Sequence, residues 1–161
     1  MINFGFYSAP EMPGVRVPIR MLDCVIEYLS LFLALVIWIL MLSHYTQLSG
    51  NILAESWLAS GMSALLVAFI WYLRYASIRL YRFPVRITER NVNVQYFLAS
   101  RTCRIMVIIT ILIFFFRQLG LFAEQFWGLD RKIFFILSVA SFIGLFLSLI
   151  VYYILAICYR N

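Results

Sequence analysis

Four long runs of apolar residues, separated by short polar stretches, set the hydropathy pattern of this chain. Each run is long enough to cross the roughly 30 Å hydrocarbon core of a bilayer as a helix. The runs predict membrane spans at about residues 21–42, 57–73, 105–122 and 133–159. We therefore predict an all-α fold, an integral membrane four-helix bundle in which residues 1–161 form a single membrane domain.

The longest polar interruption separates the second run from the third. The second helix is expected to continue towards Arg82 and to stop at Pro84, because proline lacks the backbone N–H that a helix interior needs. Thr88 is the predicted N-cap of the next helix. Beyond it, apolar residues recur with the gaps of four and three that are typical of a helix, at Val92, Tyr96, Ala99, Cys103 and Met106. Residues 74–104 are thus predicted to form a helical hairpin that extends spans 2 and 3 beyond the bilayer.

Composition agrees with residence in a membrane. Of the 161 residues, 65% are apolar and 12% are charged, whereas about a quarter of the residues of a soluble domain are charged. The net charge of +6 does not indicate nucleic-acid binding, because the basic residues flank the apolar runs and form no single face open to phosphates. The lipid bilayer is therefore the predicted environment, and nucleic acid is not a predicted partner.

The basic residues are unevenly distributed between the two sides of the membrane. Ten of the thirteen lie in the N-terminal segment, in residues 74–104 or at the C-terminus, and three lie in or beside the other two connectors. Because cytoplasmic loops carry the excess of Lys and Arg, both termini and the hairpin are predicted to be cytoplasmic. Cys24, Cys103 and Cys158 then lie near the reducing side, so no disulfide is predicted.

Three charged residues interrupt the apolar runs. Asp23 and Glu27 share one face of the first helix with Arg20. They have two interpretations, a polar relay or ligand contact inside the bundle and a membrane-edge cluster paired with a basic residue of another helix. The second is favoured because both acids lie near the end of the span. Arg117 is expected to reach the outer interface or to pair with Glu124, with a gating or substrate role as the alternative.

Small residues in two of the spans predict close contacts between helices. The second span begins with a group of them, Ala59, Ser60, Gly61, Ser63 and Ala64. The fourth span carries a stripe with gaps of three and four, Ser138, Ser141, Gly144 and Ser148. Packing against a neighbouring helix is favoured over the lining of a polar pore.

The sequence does not predict an enzyme. It contains no HExxH, GxSxG, glycine-rich phosphate loop or CxxC motif. The single histidine, His44, has no cysteine or paired carboxylate near it in the sequence, and one histidine cannot by itself form a metal site. We therefore predict no catalytic residues and no bound metal or cofactor.

Residues 83–104 carry a more specific pattern than orientation in a membrane requires. They resemble a YPV-x-ITEEN-x-x-x-QY-x-LA-x-R-x-x-R segment of small bacterial multi-span proteins in an uncharacterised membrane domain family. The same domain forms the N-terminal half of immunity proteins against the sporulation-delaying toxin. The matching positions are Phe83, Pro84, Val85, Ile87, Thr88, Glu89, Asn91, Gln95, Tyr96, Leu98, Ala99, Arg101 and Arg104.

The resemblance implies a multi-span fold in the bacterial inner membrane and, by association, a role in immunity or signalling. Proteins of this family usually carry a Pro-x-His-(Phe/Tyr)-Asn-x-x-Gly motif between the first two spans. Here only His44, Tyr45 and Gly50 correspond, without the proline. The candidate partner-binding residues within the matching segment are Thr88, Glu89, Asn91, Gln95, Tyr96, Arg101 and Arg104.

Two classes of function follow from these patterns. The first is a non-enzymatic membrane protein that binds a partner protein or toxin. The second is a small transporter or channel subunit, in a homo-oligomer, that uses Asp23, Glu27 and Arg117 as polar elements. An ion path needs polar residues near the middle of the bilayer, and the middles of all four spans are apolar. This favours the first class.

Overall fold

The computed structural model describes residues 7–8, 20–48, 50–75 and 81–160. Its helices within these ranges are α1 Met21–Ser43, α2 Gly50–Tyr72, α3 Val92–Phe126 and α4 Arg131–Cys158. Two short strands, β1 Tyr7–Ser8 and β2 Arg82–Phe83, pair in antiparallel orientation. The predicted all-α four-helix bundle is confirmed.

All four helices are long and apolar enough to cross a membrane, and the chain is therefore an integral membrane protein. The longest is α3, whose 35 residues extend about 52 Å at 1.5 Å per residue. That length exceeds the roughly 30 Å of a bilayer's hydrocarbon core. Part of α3 must therefore stand outside it, as the unbroken helical seam from Val92 onwards predicts.

The bounds of α2 differ from the prediction at both ends. The helix begins at Gly50, before the predicted start at residue 57, and it ends at Tyr72 without continuing towards Arg82. The chain turns over residues 73–75. This turn buries Leu73 in an apolar cluster and brings Arg74 to the carboxylate of Glu27.

Residues 81–88 contain no helix: β2 covers Arg82–Phe83 and a bend follows at 84–85, so the predicted hairpin is helical on its α3 side and not in this segment. Its apolar side chains are buried, namely Tyr81, Phe83, Val85 and Ile87. Arg82, Arg86 and Thr88 alternate with them and are exposed. Alternation with a period of two is the pattern of an extended chain packed on one side. Thr88 is not the N-cap of α3, because the helix starts after Asn91.

The helices α1, α2 and α3 pack against one another, and α4 packs against α3. An apolar cluster joins the first three, and its buried members are Leu33, Ile37, Ala59, Ile70, Val107 and Ile111. Of the small residues predicted to permit close contact in α2, Ala59, Ser60 and Ser63 are buried. No atom lies within 4 Å of the position that a Cβ would take at Gly61.

The fourth helix is much less enclosed. Ala156 is its one buried residue in the described part of the chain. The small stripe that was predicted to pack closely is half-buried, and a Cβ at Gly144 would have no atom within 4 Å. The tight approach of α3 to α4 lies elsewhere, at Gly120, where an added Cβ would be 3.1 Å from Phe134 Cβ. Most of the surface of α4 is therefore available to lipid.

Polar contacts define the two ends of the bundle. The start of α1, the end of α2, the first half of α3 and the end of α4 meet at one end, which we call the arginine-rich end. The connector after α1 and the connector between α3 and α4 lie at the opposite end, where His44 stacks on Phe126 with ring centroids 4.2 Å apart. The helices thus alternate in direction.

Candidate functional site

The arginine-rich end is built around two carboxylates of α1 that are almost completely buried. Asp23 is 2% exposed and Glu27 is 1% exposed. Since a buried charge without a partner is strongly unfavourable, each requires a cation nearby. Their spacing of four residues places them on the same face of the helix, directed towards the other helices.

Glu27 lies between two arginines from different parts of the chain. Arg74, in the turn after α2, donates from Nε to Glu27 Oε2 at 2.7 Å, and its Nη2 contacts the same oxygen. Arg104 of α3 donates from Nε to Glu27 Oε1 at 3.0 Å and from Nη1 to Ser100 Oγ at 2.5 Å. The hydrogen bond with Glu27 raises the pKa of Arg74 above its usual value. One carboxylate thus joins α1, α2 and α3.

Asp23 forms a second pair one turn closer to the start of α1. Its Oδ2 accepts from the backbone N–H of Arg20 at 3.0 Å, and its Oδ1 accepts from Arg101 Nε at 3.3 Å. The guanidinium groups of Arg20 and Arg101 lie 4.4 and 4.3 Å from the ring centroid of Phe97. The pairing with basic residues of other helices, favoured from the sequence, is thus observed for both acids.

The charges of this cluster do not balance. Among the described residues it contains two carboxylates, Asp23 and Glu27, and three paired guanidinium groups, Arg74, Arg101 and Arg104. The side chain of Arg104 is 6% exposed, whereas those of Arg74 and Arg101 are 25% and 24% exposed. The excess positive charge therefore lies at the surface of the protein.

Two amide side chains of α3 bind the end of α4. Gln95 Nε2 donates to the carbonyls of Ala156 at 2.9 Å and Tyr159 at 3.0 Å. Asn91 Nδ2 donates to the carbonyl of Arg160 at 2.8 Å. The last carbonyls of a helix have no partner within the helix, and these amides satisfy them. The sequence marked both residues as candidates for binding a partner, but the structure places them in helix capping.

Asn91 also organises the segment that precedes α3. Its Nδ2 donates to the Arg86 carbonyl at 3.1 Å, and its Oδ1 accepts from the backbone N–H of Thr88 at 2.8 Å. One buried side chain thus fixes the extended segment and the end of α4 together. Asparagine suits this position because its amide donates and accepts at the same time.

An aromatic cluster lies beneath this segment. The rings of Tyr81 and Tyr96 meet edge to face with centroids 5.1 Å apart. Phe83, Ile87 and Val92 complete the same buried cluster. Burial raises the pKa of Tyr81 to about 12. Tyr96, another predicted partner-binding residue, therefore has a packing role.

The candidate residues thus divide into two groups. Asn91, Gln95, Tyr96 and Arg104 are buried, Arg101 is half-buried, and all five make contacts within the protein. Thr88 and Glu89 are exposed, as are the basic residues around them, Arg82, Arg86 and Arg90. This segment is thus held by buried contacts while its polar side chains face solvent.

Arg117 lies at the opposite end and does not join the buried cluster. Its Nη2 is 3.2 Å from Glu55 Oε2, so the predicted pairing with Glu124 is wrong. Arg131 lies 3.8 Å from Glu124 and 4.0 Å from the same oxygen of Glu55. Glu55 was not predicted as a partner, because the hydropathy pattern places it in a connector before the second span, whereas α2 begins at Gly50.

A cavity of about 200 Å³ opens beside Arg117, between α3 and α4. Its lining residues are Phe116, Arg117, Gly120, Arg131, Phe134, Phe135 and Ser138. Both arginines of this cavity already lie near carboxylates. Elsewhere in the opposite half, the amide of Gln118 is fully buried and has no hydrogen-bond partner within the described part of the chain.

No group of three His, Cys, Asp or Glu residues in the described ranges is arranged to hold a metal ion. The three cysteines are free thiols. The polar geometry is therefore that of ion pairs and helix caps, with an exposed basic segment above them.

No family model matches the chain, and the searches of curated proteins and of solved structures also found no match.

Proposed function

We propose that this membrane protein is non-enzymatic and binds a partner protein through the exposed face of residues 82–90, at its arginine-rich end. The alternation in residues 81–88 is the observation that carries the proposal. Four apolar side chains of that segment are buried, and the polar side chains between them are directed to solvent. This surface is named the basic segment below.

The rigid attachment of the basic segment supports a binding role. Phe83 is fully buried, and Asn91 fixes Arg86 and Thr88 through their backbone groups. A segment held in one conformation loses less entropy when it binds than a mobile loop does. The exposed side chains are thus presented in a fixed arrangement.

The chemistry of the basic segment suits an acidic partner. Arg82, Arg86 and Arg90 are exposed within nine residues, with Glu89 as the one acidic residue among them. The planar guanidinium group binds carboxylates through two parallel hydrogen bonds. We expect the partner to present Asp and Glu side chains, and positive-inside orientation places this contact in the cytoplasm.

The structure gives less support to transport. Asp23 and Glu27 are engaged in ion pairs at one end of the bundle, and Arg117 is engaged at the other. The described core between them holds no buried charge: its apolar cluster includes the fully buried Ile37 and Ile111, and its buried polar groups are neutral, serine hydroxyls and the amide of Gln118. Ion flux through liposomes that is abolished by Asp23→Asn together with Glu27→Gln would overturn the partner-binding proposal.

The resemblance of residues 83–104 to a domain of toxin immunity proteins suggests what the partner does. We propose an immunity-like or signalling role in the bacterial inner membrane, with a toxin or a protein of its pathway as the partner. Deletion of the gene should sensitise cells to toxins of neighbouring strains. Unchanged survival across a broad toxin panel would contradict the immunity role and leave the contact surface to be tested separately.

The contact surface itself is tested by photo-crosslinking in living cells. A photoreactive amino acid is placed at Thr88 and, as a matched control, at Leu129, which is 52% exposed at the opposite end. We expect one discrete crosslinked protein at Thr88 that is absent at Leu129. Replacing Arg82, Arg86 and Arg90 with glutamine should weaken that band, and lysine at the same positions should weaken it less.

Two results would contradict the proposed surface. The first is the same crosslinking pattern at Thr88 and at Leu129. The second is a band at Thr88 that survives the triple glutamine substitution at full intensity. The lysine variant preserves the positive charge that sets the orientation of the protein in the membrane. It therefore distinguishes a band that weakens because the topology is inverted from a band that weakens because the contact is lost.

A further inference from the structure

We infer that the arginine-rich end binds the phosphate of an anionic phospholipid headgroup between Arg20 and Arg101, beside the ring of Phe97. This site is separate from the basic segment, and it does not depend on the proposed partner. Two features of the structure lead to it, an excess of positive charge and the height of these groups relative to the apolar surface.

The excess of positive charge arises at the ion pairs around the start of α1. Three guanidinium groups face two carboxylates there, and within the described residues Arg101 Nη2 is buried without a hydrogen-bond partner. Arg20 adds a fourth guanidinium group, 4.4 Å from the same Phe97 ring that Arg101 contacts at 4.3 Å. Two cations that share one ring are separated by at most about 9 Å, and like charges repel at this range, more strongly at a membrane boundary than in water. An anion between them would relieve the repulsion.

The position of the site identifies the anion. Met21 and Leu22 follow Arg20 directly and are 86% and 62% exposed, so the lipid-facing apolar surface starts immediately below it. Arg20 and the partly exposed Arg101 are therefore at the level of the headgroups. Basic pockets between membrane helices at this level bind anionic lipid headgroups. A phosphate oxygen suits the guanidinium donors, and the acyl chains would lie along α1.

The experiment uses the full-length protein purified with a mixture of phosphatidylglycerol and phosphatidylcholine, with bound lipid measured by native mass spectrometry. We expect selective retention of phosphatidylglycerol. Arg20→Gln and Arg101→Gln should each weaken retention about fivefold, the effect of removing one arginine near an anionic surface. Arg90→Gln is the control, because this residue is exposed at the same end but does not contact Phe97.

Retention without preference for phosphatidylglycerol would overturn the inference, and so would an equal loss in Arg90→Gln. Displacement of the lipid by millimolar glycerol phosphate would assign the site to a free phosphate ester and overturn the lipid assignment. Arg101→Gln also breaks the pair with Asp23 and can unfold the protein. Arg20→Gln decides in that case, since its side chain is exposed and has no carboxylate partner among the described residues.

Discussion

Glu27 illustrates at the scale of a single residue how this protein keeps a carboxylate within a membrane helix. Its two oxygens accept hydrogen bonds from Arg74 and Arg104, and the side chain is 1% exposed. Within hydrocarbon an ion must be neutralised locally, because water is not available to solvate it. The residue therefore contributes to stability through its partners, and its removal would leave two arginines without their shared anion.

Replacement of Glu27 with glutamine should lower the free energy of unfolding by about 3–5 kcal/mol, the cost of breaking a buried ion pair from one side. The matched control is Glu55→Gln, which removes an acid from the more exposed pair at the opposite end. It should cost about 0–1 kcal/mol. Unfolding in mixed detergent micelles, followed by tryptophan fluorescence, measures both. Equal losses would contradict the structural role assigned to Glu27.

At the scale of the elements, the main feature is the attachment of α4. This helix has its extensive contact with α3 and a single buried residue in the described part of the chain, so most of its surface is left open. Gln95 and Asn91 hold its last carbonyls. We regard these two amides as the main polar link between the end of α4 and the bundle.

The variant Gln95→Leu keeps a similar volume but loses both hydrogen bonds to α4. We expect faster hydrogen exchange in the last two turns of α4, with little change in α1 and α2, because the freed carbonyls allow the helix end to fray. Asn93→Leu, an exposed site in the same turn of α3, is the control. Hydrogen exchange followed by mass spectrometry resolves the two regions. Unchanged protection at the end of α4 would contradict the link.

At the opposite end of their contact, α3 and α4 approach closely at Gly120. Gly120→Ala would place a Cβ 3.1 Å from Phe134 Cβ, so the helices must separate slightly, at a cost of about 1–3 kcal/mol. Gly144→Ala meets no atom within 4 Å and should be neutral or stabilising by about 1 kcal/mol, since alanine is the better helix former. Thermal unfolding in detergent compares the two variants. A larger loss at Gly144 would show that its face packs closely in solution.

Residues 73–75 and 81–91 differ most from what the sequence predicts. The start of α3 could be predicted from the helical spacing of its apolar residues, among them Val92, Tyr96 and Ala99. This spacing is visible within one continuous stretch of sequence. The sequence also contains a period-two pattern at Tyr81, Phe83, Val85 and Ile87. It was not used, because the second helix was expected to continue towards Arg82. The roles of Asn91 and Gln95 could not be found, since their acceptors lie more than 60 residues away, in α4 or just after it.

At the scale of the whole molecule, the charged residues of the described ranges follow one rule: charges inside the bundle are paired near its ends, and exposed basic groups lie at the arginine-rich end. Glu27 and Asp23 serve the first part of this rule, and the basic segment serves the second. The excess of basic residues at the arginine-rich end predicts that this end faces the cytoplasm, and the proposed partner surface rests on that prediction.

The direct test is a topology map with a dual reporter that is enzymatically active only outside the cytoplasm and fluorescent only inside it. We predict fluorescence when the reporter follows Asn161 and enzymatic activity when it is inserted in the connector at Gly128, between α3 and α4. The two sites lie at opposite ends of α4, so the paired result also tests whether this helix crosses the membrane. Enzymatic activity after Asn161 would contradict the account.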